Sequence, residues 1–595
     1  MSTVPLIPES APFSAEQRAW LNGFFAGMFS RGPGAPMSVL SAQSSVSLTP
    51  LTIVFGSQTG TAESLAKRAA KEAGRRNFGA TVLDMAETDF AKLKAEKNVL
   101  VIVSTYGEGE PPDSAKGLHS ALSEAVEAEP ANPAALGGIR YSVCALGDTN
   151  YSQFCQCGKE FDAHLEKLGA ARVSARVDCD VEYDEAFMKW LDGALAALGS
   201  ADNVGAALRR DGEVESRDKP APTLAKTEPT YSKKNPFPAL LLTSRNLNGQ
   251  GSAKQVHHVE FDLATSGLNY QAGDALGVYA HNCPELVQDV LSVLGCDGEE
   301  AVPAPDGATT SLRRALTELY DLGKPSAELM ALCRVAAPAA LVVERAENVS
   351  SPHHVIDALL AAGAKLAPVD FVQGLKRLQP RLYSISSSPV AHTGQVHLTV
   401  GAVRYDKEGR ARKGVCSTFL ADRAQPGATR VGVFVHSNQA FRPPTSGDAP
   451  MIMVGPGTGI APFRGFLHER RVSGASGKNW LLFGDQRAAT DFLYRDELDD
   501  LSREGVLTRL DTAFSRDQTE KVYVQHRMLE NAAEFYAWLE SGAHFYVCGD
   551  ATRMAKDVEL ALHQVVMNAG GKTTDQAAEY VQKLKAAKRY ARDVY

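Results

Sequence analysis

The chain has 595 residues, of which 44% are apolar and 22% charged, with a formal net charge of −8. That length exceeds what one hydrophobic core usually supports and predicts roughly three to five domains; the balance excludes a largely disordered or membrane-embedded chain, and the negative charge argues against a general nucleic-acid binder. Nine scattered cysteines offer no paired ligand set, so neither a disulfide framework nor a structural zinc site is expected and a reducing cytoplasm is the simplest home.

Residues 1–48 read as an N-terminal extension. They lack the basic and apolar regions of a secretory signal, and nothing approaches the roughly 20 apolar residues that span a bilayer. Ser14-Ala15-Glu16-Gln17 is a capping-box pattern, and Trp20, Leu21, Phe24, Phe25, Met28 and Phe29 follow at helical spacing. Three readings stand for this amphipathic helix: packing on its own domain, an oligomerisation or partner helix, and a membrane-surface helix, the last disfavoured by a polar face with few basic residues.

Residues 49–198 alternate short apolar strands (Leu51–Phe55, Val99–Val103, Tyr141–Leu146) with helical stretches, the signal for a doubly wound parallel sheet. Ser57-Gln58-Thr59-Gly60-Thr61-Ala62 joins the first strand to a helix beginning near Ala62. Free amides and the helix dipole favour an anion there, three hydroxyls add donors, and without a lysine the loop suits a terminal monophosphate better than a triphosphate. A plain helix cap is the alternative. Ser104-Thr105-Tyr106-Gly107 and Leu146-Gly147-Asp148-Thr149-Asn150-Tyr151 follow later strand ends, and Tyr106 and Tyr151 are placed to sandwich a flat ring, so a flavin mononucleotide (FMN) site is expected. Cys155-Gln156-Cys157 is too small a pair to hold a metal alone.

Residues 199–235, polar and rich in Ala, Pro, Lys and Glu, read as a flexible linker. Residues 236–448 carry strand-like pieces (Ala239–Ser244, Val256–Asp262, Gln395–Val403, Thr429–His436) around a helical block at about 284–366, which fits an antiparallel β-barrel with a helical connecting insertion. Arg381-Leu382-Tyr383-Ser384 re-enters the barrel; Arg381 suits a pyrophosphate and Tyr383 a flavin ring. His257-His258 and His353-His354 are adjacent pairs whose members point to opposite faces on a strand, and no metal is assigned.

From 449 to 595 the α/β alternation resumes with Met451–Val454, Trp480–Phe483 and His544–Val547 as buried strands. Gly455-Pro456-Gly457-Thr458-Gly459 lies between a strand and a helix, where its glycines permit close approach to a pyrophosphate. Ser515, Arg516, Lys521, Val522, Tyr523, Val524 and Gln525 form a basic and hydroxylic cluster suited to a ribose 2′-phosphate, and so to NADPH rather than NADH. A solvated face is the plainer reading of Arg516 and Lys521.

The flavodoxin-like stretch resembles that of the diflavin reductases, and Arg381–Ser384 with Thr399-Val400-Gly401, Tyr405 and Gly414-Val415-Cys416-Ser417 resembles the flavin adenine dinucleotide (FAD) site of the ferredoxin-NADP reductase superfamily. Through Gly455–Arg464, Ser515–Gln518, Lys521–Gln525 and Arg589–Tyr595 the whole chain is similar to the flavoprotein subunits of bacterial assimilatory NADPH-sulfite reductases. The resemblance implies flow from NADPH to FAD to FMN, with Ser384, Cys548 and Asp593 around the hydride-transfer point and Cys548 acting by position rather than as a nucleophile. It further places Phe154 and Cys155 at FMN, Asp557 at the nucleotide and Tyr595 over the FAD ring.

The implied acceptor is a separate siroheme and iron-sulfur hemoprotein subunit that reduces sulfite to sulfide for cysteine synthesis, with the present chain a homo-oligomer through its N-terminal segment. Tyr106, where glutamine is familiar, and Cys416, in place of a smaller residue, depart toward P450-type reductases, the alternative function; a nonenzymatic flavin-binding assembly subunit is the remote one. Glu108, Glu110, Asp113 and the run from Asp178 to Glu185 either steer a basic acceptor or form a merely soluble surface.

Overall fold

The computed structural model describes residues 48–57, 60–106, 109–128, 135–147, 153–180, 183–200, 231–336, 354–363, 366–407 and 409–595. The expected N-terminal helix, most of the expected linker, Gln58, Thr59, Gly107, Glu108, Asp148, Asn150, Tyr151 and His353 lie outside these residues.

Six strands form the first sheet: β1 (Thr49–Gly56), β2 (Phe78–Asp84), β3 (Asn98–Ser104), β4 (Arg140–Leu146), β5 (Ala171–Arg172) and β6 (Val177–Cys179). Their order is β2-β1-β3-β4-β5, with β6 also on β4, and β1, β3 and β4 run parallel. Leu51, Ile53, Val99, Val101 and Val143 are fully buried because helices cover both faces, which is why these strands read as unbroken apolar runs. β2 shows no such run: four of its seven residues are polar or small and only Phe78 is fully buried, so periodicity alone does not expose it. The order reverses at β1 and β3, so the loops after β1, β3 and β4 open on one crevice.

The second sheet takes β7 (Phe237–Asn246), β8 (Val256–Asp262) and β9 (Ala275–Val278) before the insertion. The insertion holds helices Pro284–Leu294, Ala327–Ala336, Val355–Ala362 and Pro368–Gln373 around Leu291, Leu316, Leu359 and Phe371, and a short hairpin, β10 (Ala301–Pro303) and β11 (Thr309–Ser311). The chain returns through β12 (Arg381–Ser384) and β13 (Gln395–Gly401), the hairpin β14 (Arg404–Lys407) and β15 (Arg410–Lys413), and β16 (Arg430–His436). The antiparallel order β12-β9-β16-β7-β8-β13 is closed into a barrel by the bridge between Ile385 and Leu398. β13 stops at Gly401 rather than Val403: Ala402 N–H still bonds Gln255, the residue just before β8, but the Val403 carbonyl leaves that strand and accepts from Gly414 N–H.

The third sheet is all parallel: β17 (Met451–Val454), β18 (Asn479–Asp485), β19 (Arg509–Phe514), β20 (His544–Gly549) and β21 (Tyr590–Val594), in order β19-β18-β17-β20-β21. β21 is a strand that the apolar pattern did not mark. It pairs with β20 from Phe545–Tyr590 to Gly549–Val594, placing Cys548 opposite Asp593, and buries Tyr590 against Phe545. No helix of the described residues is long and apolar enough to cross a membrane.

Candidate active site

Loops from the carboxyl ends of the parallel strands and from the barrel border one continuous cavity of about 2070 Å³. A site for one small ligand occupies roughly 300–1,000 Å³, so this cavity has room for several ring and phosphate groups.

At the flavodoxin-like sheet it is bordered by Thr61, Ser104, Thr105, Tyr106, Leu146, Gly147, Phe154 and Cys155. Ser57 lies back from it: its Oγ accepts from Gly60 N–H (2.9 Å) and Ala62 N–H (3.2 Å), the capping role, because the first amides of helix Thr61–Gly74 need acceptors. Gly60 takes φ 87° to make that turn and also stands back, and the Ala62 methyl is in the core rather than at the cavity. Cys155 is buried, its thiol directed at the Ala145 carbonyl (3.4 Å), and burial raises its pKa to about 12. It meets the cavity as a neutral wall.

In the barrel, Arg381 is exposed at the cavity edge and Leu382 is 50% exposed, an apolar surface left open on the cavity wall. Tyr383, Thr399, Gly401, Tyr405, Gly414, Val415, Cys416 and Ser417 join it. The Val400 side chain does not; it points into the barrel core, as strand alternation requires. Burial raises the phenol of Tyr383 and the thiol of Cys416, the latter to about 11, so both face an occupant uncharged.

In the nucleotide sheet Gly457, Thr458, Ser515, Tyr523, Val524, Gln525, Asp557 and Tyr595 border the cavity, and Gln525 donates to Asp557 (3.2 Å). Arg516 and Lys521 are exposed and stand back from it, and Val522 packs on the domain core. The glycine loop is tight. A Cβ on Gly459 would lie 2.1 Å from the Cys548 carbonyl oxygen, so this glycine lets the loop close on the end of β20. Gly459→Ala is expected to cost ~1–3 kcal/mol of stability by overpacking and to weaken nucleotide binding, checked by urea unfolding and titration with 2′,5′-ADP.

Three expected catalytic positions converge. Ser384 Oγ, at the end of β12, donates to Asp593 Oδ2 at 2.5 Å, and the Cys548 thiol lies 3.9 Å from the same oxygen. Cys548 itself is fully buried and reaches the cavity only through Asp593; burial and the Asp593 charge hold its thiol far above the ordinary range, so it is no nucleophile. Burial also raises Asp593, against the hydrogen bonds from Ser384 and Cys548. Tyr595 shares a 3.0 Å hydrogen bond with Thr458 across the glycine loop and leaves 57% of its surface open to the cavity.

Sequence reading missed two features. Lys254 bridges to Asp485 at 2.5 Å beside Gly457, joining barrel to nucleotide sheet across 231 positions, a separation that no local pattern encodes. An ionic seam also joins the first and third sheets. Arg592, its side chain 6% exposed, pairs with Asp113 and with Glu559 (2.8 Å); Lys585 reaches Glu559 (2.7 Å), Lys556 reaches Glu110 (2.6 Å), and the Tyr106 hydroxyl donates to Val594 O (3.3 Å). Glu110 and Asp113, expected either to steer an acceptor or to form a merely soluble surface, are thus engaged within the chain.

The chain matches the Flavodoxin family over residues 53–190, the FAD binding domain over 229–352 and 327–419, and the Oxidoreductase NAD-binding domain over 453–560. It is 43% identical over 601 residues to the sulfite reductase (NADPH) flavoprotein alpha-component of Bacillus subtilis, covering 97% of this chain and 95% of that one. It is 44% identical over 589 residues to that of Vibrio cholerae, covering 98% and 94%, and 40% identical over 611 residues to that of Serratia proteamaculans, covering 100% and 99%. The chain belongs to the sulfite reductase flavoprotein alpha-component family. As a member of it, the protein is a flavoprotein oxidoreductase with FMN, FAD and a nicotinamide dinucleotide as cofactors. The cavity fits them: Tyr405 (46% exposed), Leu382 and Tyr595 present ring-sized surfaces, and the glycine loop has no room for a side chain at Gly455 or Gly459.

Proposed function

We propose that this chain takes electrons from NADPH and delivers them, through FAD and then FMN, to a separate siroheme and iron-sulfur subunit that reduces sulfite to sulfide. The convergence of Ser384, Cys548 and Asp593 where barrel and nucleotide sheet share one cavity is the observation that carries the reading. The bound flavins supply the conversion of a hydride pair into single electrons. The protein's part is placement. Ser384 orients the Asp593 carboxylate, which holds a negative charge at the cavity where a developing positive charge is stabilised. Arg381 and Ser417 are assigned to the FAD pyrophosphate, the loop from Ser57 to Thr61 to the FMN phosphate, and Ser515, Arg516, Lys521 and Tyr523 to the 2′-phosphate, the last requiring Arg516 and Lys521 to swing inward.

In this reading the chain works in the cytoplasm and is partitioned at 48, 198, 235 and 448, with the first segment joining copies of the chain. NADPH oxidation by the purified flavin-loaded protein should rise on adding a sulfite reductase hemoprotein together with sulfite. No rise with that acceptor, or a rise with a P450 instead, sinks the reading.

Tyr595 must leave its place over the glycine loop for a nicotinamide to reach Ser384. Tyr595→Ala removes a hydrogen bond worth about 1 kcal/mol and the ring's contacts, and is expected to tighten NADP⁺ binding by about tenfold, read by calorimetry.

A further inference from the structure

Helix Ala461–Ser473 starts directly after the glycine loop, and its first turns press on the segment directly after Ser384: a Cβ on Gly465 would lie 2.9 Å from the Ser387 carbonyl oxygen. Between them lies a buried cation. Arg464 is 6% exposed, and one guanidinium nitrogen donates to the Ser386 carbonyl at 2.8 Å, two residues beyond Ser384. The same nitrogen lies 3.3 Å from His397 Nδ1. The other side of the fork pairs with Glu497 at 2.7 Å, and the plane lies 5.1 Å from the Tyr494 ring centre. Glu497 is braced again by His468 at 2.6 Å, and Tyr494 binds His258 (2.9 Å) and Thr399 (2.8 Å), the last a cavity residue.

His258, Glu260 and His397 bring ligand-type atoms within 4.8 Å of one another, but the ring nitrogens already have partners around Arg464 and Tyr494. His397 Nδ1 faces Arg464 and its Nε2 faces Gln395, while the two nitrogens of His258 face Tyr494 and Glu260. A resident guanidinium, not a metal, is the cation of this cluster.

A buried charge with two fixed partners is costly unless its bonds are kept, so the arrangement has one low-energy geometry. We propose that Arg464 is a positioning residue: by tying the Ser386 carbonyl to the helix of the glycine loop, it sets the distance between the Ser384–Asp593 pair and the nucleotide. The proposal rests on the function proposed above and concerns none of the groups placed there.

The test compares the flavin-loaded wild-type protein with Arg464→Lys, which keeps the charge but loses the two-sided fork, and with Glu497→Gln, which loosens the fork from its other anchor. Expected for Arg464→Lys are a fall of tenfold or more in the rate of flavin bleaching by NADPH, affinity for 2′,5′-ADP unchanged within twofold, and faster amide hydrogen exchange at residues 385–388. Glu497→Gln should show the same split at about threefold. An unchanged bleaching rate, a loss matched by weaker 2′,5′-ADP binding, or loss of FAD from both variants overturns the proposal in favour of a structural role. Failure of the wild-type protein itself to bleach with NADPH would instead remove the parent reading.

Discussion

Asp593→Asn is expected to make the protein slower and more stable at once. Replacing the carboxylate by an amide of the same shape removes the negative charge facing the cavity, and the rate of flavin bleaching by NADPH should fall by about 10²-fold or more, the scale of losing a pre-oriented electrostatic contact. Stability moves the other way. Burial raises the Asp593 pKa despite its bond from Ser384, so the folded chain holds this proton more tightly than the unfolded one. The carboxyl's contribution is therefore most favourable below the unfolded value of about 3.9 and is lost as pH rises through the folded value. The variant should melt higher than wild type at neutral pH, and the difference should vanish on acidification toward pH ~3.9. A melting temperature that falls at neutral pH would show that Asp593 stabilises the fold, against this account.

Arg592→Ala is expected to have the largest effect on stability. The guanidinium is buried between Asp113 and Glu559, so its removal leaves two carboxylates facing each other, Glu559 held by Lys585 and Asp113 by the half-exposed Lys116. Breaking a buried pair from one side costs about 3–5 kcal/mol, to be read from urea unfolding. Scattering should also show a more extended particle, because among the described residues the ion pair left between the two domains, Lys556 with Glu110, is exposed and such pairs are worth about 0–1 kcal/mol. Against their own burial, Arg592 holds Asp113 below the ordinary carboxylate range, and Lys585 and Arg592 do the same for Glu559. Their contribution is present above the unfolded carboxylate values and lost as pH falls through the folded ones. Wild type should therefore lose stability on acidification more steeply than Arg592→Ala; parallel curves would mean that the seam carries little free energy.

What the sequence disclosed about this molecule follows physical range. The glycine loop and the turn at Ser57 depend on neighbours within a few residues, and both were legible as strand-to-helix turns, while a phosphate loop and a helix cap at Ser57 share one local pattern. The parallel strands β1, β3, β4, β17, β18 and β20 were legible because burial on both faces writes itself as an apolar run. β2 and β21 were not, since each presents polar residues to the rim of a sheet.

Periodicity says which face of an element is apolar but not which element it meets. Ser384 finds Asp593 across 209 positions, and Asp113 finds Arg592 across 479. The first pairing was expected only by resemblance, and the second was read the other way, as an outward-facing surface. Val400 and Ala62 show the complementary limit: a motif marks a stretch of backbone, while alternation or helical phase decides whether a given side chain faces ligand or core.

The hydrogen bond from Tyr106 to Val594 also has a meaning in time. Its partners stand 488 positions apart, and at about 5–20 residues per second of synthesis roughly half a minute to a minute and a half separates their appearance. The first sheet can fold within that interval, and its cavity-bordering residues, such as Tyr106 and Leu146, then face solvent with no neighbouring domain across them. The first cofactor site is open for loading while the second is still being translated, and the late arrival of β21 closes over a site already made.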